Sequence, residues 1–126
     1  MTRQVLIIDD EADIRELLQM TLETAKGWII FTAASGLEGV EMAAQHQPDA
    51  IILDVMMPGI DGPTTVRKLQ ENSATQHIPV ILLTAKRQAN HDAQYSKIGV
   101  KAVLSKLVNP VNFPNQVAEI LGWSNE

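Results

Sequence analysis

The chain has 126 residues, 45% of them apolar and 20% charged, which supports one packed domain and argues against disorder. It has no cysteine, so disulfide and thiol chemistry are excluded, and no apolar segment is long enough to cross a bilayer. The net charge of −5, with no dense Lys/Arg patch, disfavours direct nucleic-acid binding. Met1-Thr2-Arg3-Gln4 leads straight into an apolar run with no visible signal peptide, so a soluble cytoplasmic protein is expected.

The first run, Val5-Leu6-Ile7-Ile8, ends on Asp9-Asp10. Ile14, Leu17, Leu18, Leu22 and Ala25 then recur at helical spacing, with Gly27 as a natural stop. Trp28-Ile29-Ile30-Phe31 reads as a second strand. Ser35 with Glu38 fits a capping box, and Leu37, Val40 and Ala44 are expected to form that helix's apolar stripe. Beyond Pro48, Ala50-Ile51-Ile52-Leu53 runs into Asp54. Asp61-Gly62-Pro63 has the form of a helix start, with Val66 and Leu69 turned to the core.

Pro79 precedes Val80-Ile81-Leu82-Leu83, which ends on Thr84. The stretch 86–98 is mostly polar, and only Ala89, Ala93, Tyr95 and Ile98 are left to pack it. It is expected to be a helix, either weakly anchored and mobile or an ordinary surface helix. Val103-Leu104-Ser105 runs into Lys106. Phe113, Val117, Ile120 and Leu121 give a last helix its inward face, with a start that Pro114 blurs. Five strand–helix repeats thus fill residues 1–126, and a single domain is expected.

Short apolar runs without alternation suit strands covered on both faces, as in a parallel sheet. Parallel strands bring their C-terminal ends to one edge, where α/β sheets hold ligands. Asp9, Asp10 and Asp54 would meet there with Thr84 and Lys106. Three ionised carboxylates repel one another unless a cation joins them, and Mg²⁺ suits oxygen ligands and a phosphate. A carboxylate can also act as a nucleophile toward phosphorus. Asp54, on the central strand, is the candidate nucleophile. Lys106, the Thr84 hydroxyl and the Ala85 N–H are the candidate phosphoryl contacts. Glu11 reads as a residue at a helix N-terminus, favoured by the dipole, and not as a ligand. His46, His77 and His91 share no ligand spacing and are expected at the surface.

The Ile7-Ile8-Asp9-Asp10-Glu11 run, the Leu53-Asp54-Val55-Met56-Met57-Pro58-Gly59-Ile60-Asp61-Gly62 loop, Leu83-Thr84-Ala85-Lys86 and Lys106 together resemble the receiver domain of two-component response regulators, the CheY-like family. The resemblance covers essentially the whole chain and implies a flavodoxin-like, doubly wound α/β fold. That fold has five parallel strands in the order 2-1-3-4-5 and five helices. It implies that Asp54 accepts a phosphoryl group from a sensor histidine kinase or a phosphotransfer protein. Asp10 would bind Mg²⁺ directly, Asp9 would support it, and Asp54 and the Met56 backbone carbonyl would complete the ligands.

The protein would then signal to a downstream protein, with a homodimer among the arrangements open to it. Its only chemistry would be its own phosphorylation and dephosphorylation. No output domain is expected within this chain, and no nucleic-acid or membrane contact.

Two positions depart from the family pattern. Leu107 stands where proline commonly follows the lysine, so a trans bond is expected there, because a cis bond before a non-proline costs about 2.5–4 kcal/mol. Val103 stands where the family often carries Tyr or Phe, so switching is expected to rest on Thr84 and the 86–98 segment. Met56 and Lys86, each two residues beyond a site residue, occupy positions that in the family modulate the dephosphorylating water. An alternative reading, an aspartyl-phosphate-forming phosphatase of the haloacid-dehalogenase type, calls for a second aspartate where Met56 stands. A flavin site would place a phosphate against Asp9-Asp10-Glu11, which would repel it unless a metal intervened.

Overall fold

The computed structural model describes residues 2–85, 95 and 97–123. In chain order these form β1 (Gln4–Ile8), α1 (Ala12–Lys26), β2 (Ile29–Ala33), α2 (Gly36–His46), β3 (Ala50–Asp54), α3 (Gly62–Gln70), β4 (Val80–Thr84), β5 (Ala102–Ser105) and α4 (Phe113–Leu121). The strands make one sheet, all parallel, in the order β2-β1-β3-β4-β5. This is the expected α/β architecture. Four helices lie among the described residues; of the fifth, expected over 86–98, residues 86–94 and 96 fall outside them, and Tyr95 and Ile98 pack against one of the sheet's two cores.

The continuous apolar runs are explained by their surroundings. Successive side chains of a strand point to opposite faces. Val5 and Ile7 of β1 enter a core with Ile52, Ile81, Leu18, Leu22, Phe113 and Val117, between the sheet and α1 and α4. Leu6 and Ile8 enter a second core with Ile51, Leu53, Leu82, Ala43, Val66 and Leu69, between the sheet and α2 and α3. With both faces covered, no polar residue is tolerated within these runs, and each buried aliphatic side chain stabilises the fold by about 1.5–3 kcal/mol.

The helix ends follow local chemistry. Gly27 closes α1 at φ 69°, and its N–H donates to the Glu23 carbonyl. At α2 the capping box closes both ways: Ser35 Oγ accepts from Glu38 N at 3.2 Å and Glu38 Oε1 accepts from Ala34 N at 2.7 Å. Asp61 Oδ1 caps α3 by accepting from Thr64 N at 2.9 Å, with Pro63 in the first turn. That bond holds the Asp61 carboxyl below its ordinary range. Pro114 lies inside the first turn of α4, which fixes the start at Phe113.

Three local expectations are corrected. β2 begins at Ile29, and Trp28 is instead buried edge-on against Trp123, with ring centroids 5.2 Å apart. The buried face of α2 is Gly36, Gly39 and Ala43, whereas Leu37 and Ala44 are exposed and Val40 is half-buried. A Cβ on Gly39 would lie 2.3 Å from Ile8 Cδ1, so α2 sits closer to β1 than any side chain there allows. On α1, Leu18 and Leu22 are buried but Leu17 and Ala25 are exposed. His46 and His77 are exposed as expected, with the His46 ring stacked on Phe31, and His91 lies outside the described residues.

Candidate functional site

The sheet register builds the site. Ile8 of β1 pairs with Leu53 of β3, so one residue further Asp9 stands beside Asp54. Asp54 pairs with Leu83 of β4, and Thr84 pairs with Ser105 of β5. Thr84 and Lys106 therefore reach the same edge. The Lys106 N–H donates to the Thr84 carbonyl at 2.8 Å, which carries the ladder on to the lysine. No peptide bond among the described residues is cis, so the Lys106–Leu107 bond is trans, as the missing proline predicts.

The side chains converge. Lys106 Nζ lies 2.9 Å from Asp54 Oδ2, 3.3 Å from Asp9 Oδ2 and 2.7 Å from Glu11 Oε1. Asp9 and Asp54 are almost fully buried, while Glu11 is well exposed. Asp9, Asp10, Glu11 and Asp54 each place a carboxylate oxygen within 4.8 Å of the others. Asp9 Oδ1 accepts from Glu11 N at 2.9 Å, and Arg15 Nη1 donates to the Asp9 carbonyl at 2.7 Å. These bonds fix the corner after β1. Met56 N approaches Asp54 Oδ1 at 3.3 Å, and its side chain points largely into solvent. Thr84 is buried at its strand end and Ala85, next to it, is exposed.

Burial pushes the Asp9 carboxyl above its ordinary range, although the Glu11 N–H and the Lys106 ammonium pull it down. Burial does the same to Asp54, opposed by the Lys106 hydrogen bond and reinforced by the negative charge of Asp9. For Lys106 burial acts downward, but hydrogen bonds to Glu11 and Asp54 and the charges of Asp54 and Asp9 outweigh it. The ammonium is held protonated above the ordinary lysine range. One ammonium thus contacts three carboxylates, Asp9, Glu11 and Asp54, with Asp10 the fourth acidic group of the cluster.

This donor set fits a hard divalent cation. All four side chains offer carboxylate oxygen. Asp9 Oδ2 is buried without a hydrogen bond, since its approach to Lys106 lacks the geometry for one. With one ammonium shared among several carboxylates, this unbonded buried oxygen is a ready ligand for a cation.

Two residues of the site were not assigned from sequence. Glu11 does stand at the N-cap of α1, but its side chain makes no capping bond and turns to Lys106. Arg15 was not singled out at all. Their partners lie 95 and 6 residues away, and only the fold shows the first.

A doubly wound parallel sheet with a buried acidic notch and a lysine at its C-terminal edge defines the general class. The family model for the response regulator receiver domain matches residues 5–118, and the chain belongs to that family, the receivers of two-component systems. The family is one of signalling phosphoacceptors. The chain is 42% identical over 112 residues to the response regulator PleD of Caulobacter vibrioides, covering 88% of this chain and 24% of that protein. It therefore spans about a quarter of that relative's length. It is 30% identical over 122 residues to the polar-differentiation response regulator DivK of Brucella ovis, covering 97% of this chain and 98% of that one. The structure of the chemotaxis protein CheY4 of Vibrio cholerae superposes with a TM-score of 0.88 at 28% identity, over 95% of this chain and 99% of that one. Among the described residues no helix is long and apolar enough to cross a membrane.

Proposed function

We propose that Asp54 is the phosphoacceptor of this receiver. The observation that carries this reading is the Lys106 ammonium 2.9 Å from a buried Asp54 carboxylate that shares its notch with three more acidic groups. In the reaction an Asp54 carboxylate oxygen bonds to phosphorus. The bond from phosphorus to the donor's histidine nitrogen breaks, and that nitrogen keeps the electron pair. Phosphoryl transfer asks a protein mainly for alignment and charge neutralisation. Lys106 supplies one fixed positive charge, anchored through its backbone to β4. Thr84 and the Ala85 N–H supply donors to the remaining phosphoryl oxygens.

The residues that would hold Mg²⁺ are Asp9, Asp10, Asp54 and the backbone carbonyl of Met56. When bound, the ion neutralises phosphoryl oxygens and the crowded carboxylates. The phosphoryl group then adds roughly one negative charge and new acceptor oxygens at Asp54. Thr84 is drawn toward them, and that shift at the end of β4 is what a partner reads. Val103, buried in β5, has no ring to swing, so the signal runs through Thr84 and the segment after it. The donor is a sensor histidine kinase or a phosphotransfer protein, and the reader a downstream protein.

The test is incubation with acetyl phosphate and Mg²⁺, followed by intact mass. Wild type is expected to gain one phosphoryl mass and Asp54→Asn none. An equal gain in both would move the acceptor elsewhere.

A further inference from the structure

We infer that Glu11 is a positioning residue for Lys106, holding its ammonium across the mouth of the notch so that it is in place when Asp54 is phosphorylated. The inference rests on Asp54 being the acceptor. An ammonium has three N–H donors on a flexible stem and no preferred direction of its own. Its place is therefore set by its acceptors. The shortest of its contacts is to Glu11, at 2.7 Å, ahead of Asp54 at 2.9 Å.

The two ends of this pair are firmly mounted. Lys106 follows β5, and its backbone N–H is tied to Thr84. Glu11 is the N-cap residue of α1, with its N–H bonded to Asp9 Oδ1 and its carbonyl accepting from Arg15 N. In the sheet order β1 and β5 are separated by β3 and β4, so the pair spans the strand that carries Asp54. The Glu11 carboxylate makes no capping bond to its own helix, although it stands at the N-cap. Among the described residues its side chain bonds the lysine.

The chemistry follows from which oxygens are occupied. Lys106 donates to Asp54 Oδ2, and Met56 N approaches Oδ1. Once a phosphoryl group is bonded to Asp54, the N–H that Lys106 gave to the carboxylate is released to a phosphoryl oxygen. The contact to Glu11 need not break for this, so the ammonium turns about a fixed point. Without Glu11, the ammonium keeps, among the described residues, its contacts to Asp9 and Asp54.

The experiment is a double-mutant cycle on the rate of phosphoryl gain from acetyl phosphate with Mg²⁺, using wild type, Glu11→Ala, Lys106→Met and the double variant. Glu11→Ala is expected to lower the maximal rate about three- to tenfold, the size of one charge-assisted hydrogen bond at a partly exposed site, and to have no effect once Lys106 is gone. Glu11→Gln, which keeps an acceptor oxygen, should recover part of the loss. A Glu11 that acts only as a surface charge repelling an anionic donor gives the opposite sign: its removal speeds the reaction, and added salt erases the gain. That result, or an equal loss with and without Lys106, would overturn the inference. A wild type that gains no phosphoryl mass would refute the acceptor reading, and the inference with it. A metal-free readout is the Lys106 side-chain ammonium signal in NMR, expected to be protected from solvent exchange in wild type and weakened in Glu11→Ala; no change would also count against the inference.

Discussion

The two ends of the sheet are built on opposite terms. At the C-terminal edge four carboxylates cluster, three of them in contact with one lysine, and burial works against the ionised form of Asp9 and Asp54. At the other end Trp28 and Trp123 meet edge to face, the Arg3 guanidinium lies 4.7 Å over the Trp123 ring, and Lys26 Nζ bonds Asn115 Oδ1 at 2.7 Å. The second region is ordinary apolar packing with its charges at the rim. The first is a concentration of charge that a fold selected only for stability would not keep. The apolar end and the two cores thus stabilise a site that is itself costly.

The largest expected effect breaks the apolar end. Trp123→Ala removes a buried indole from Trp28 and is expected to cost about 3 kcal/mol in urea unfolding. Phosphoryl gain per folded molecule should stay unchanged, because the site lies at the opposite edge. A comparable loss of reactivity would mean that the two ends are coupled.

A smaller effect sharpens the contrast at the acidic end. The folded chain raises the Asp54 carboxyl above its unfolded value of 3.8, so ionisation costs stability above the folded value. Asp54→Asn is therefore expected to be about 1 kcal/mol more stable than wild type at neutral pH. The sign follows from proton binding: the folded chain binds this proton more tightly, so the variant's advantage shrinks as pH falls through the folded value. Unfolding free energies from pH 7 down to pH 4 would check both the direction and the trend.

Asp61 gives the opposite sign with a change of similar size. Its carboxyl is lowered by the Thr64 N–H at the start of α3. The cap stabilises above the unfolded value and is lost as pH falls through the folded one. Asp61→Ala should cost about 1 kcal/mol at neutral pH, by the usual worth of an N-cap, and less in acid.

The sequence carried much of this because the fold's logic is local where it matters most. The four apolar runs, their terminal Asp9, Asp54, Thr84 and Lys106, the Ser35–Glu38 box and the Asp61 cap are set by neighbours in the chain. The buried face of α2 was not legible, because Gly36 and Gly39 carry no hydropathy signal and are buried by close approach to β1 and α3. Trp28 looked like strand and became the partner of a tryptophan near the other end of the chain. Glu11 looked like a helix-start residue because its contact with Lys106 spans 95 positions. What escaped was set by distant contacts rather than by local pattern.

Both tryptophans lie away from the notch, so their fluorescence reports global unfolding and not the site. That makes one measurement direct: tryptophan-monitored urea unfolding of wild type and Asp54→Asn, each with and without Mg²⁺. If the acidic notch is built for a cation, Mg²⁺ at ten times its dissociation constant should stabilise wild type by about 1.4 kcal/mol and the variant by clearly less. An equal gain in both proteins, or none in wild type, would contradict the account.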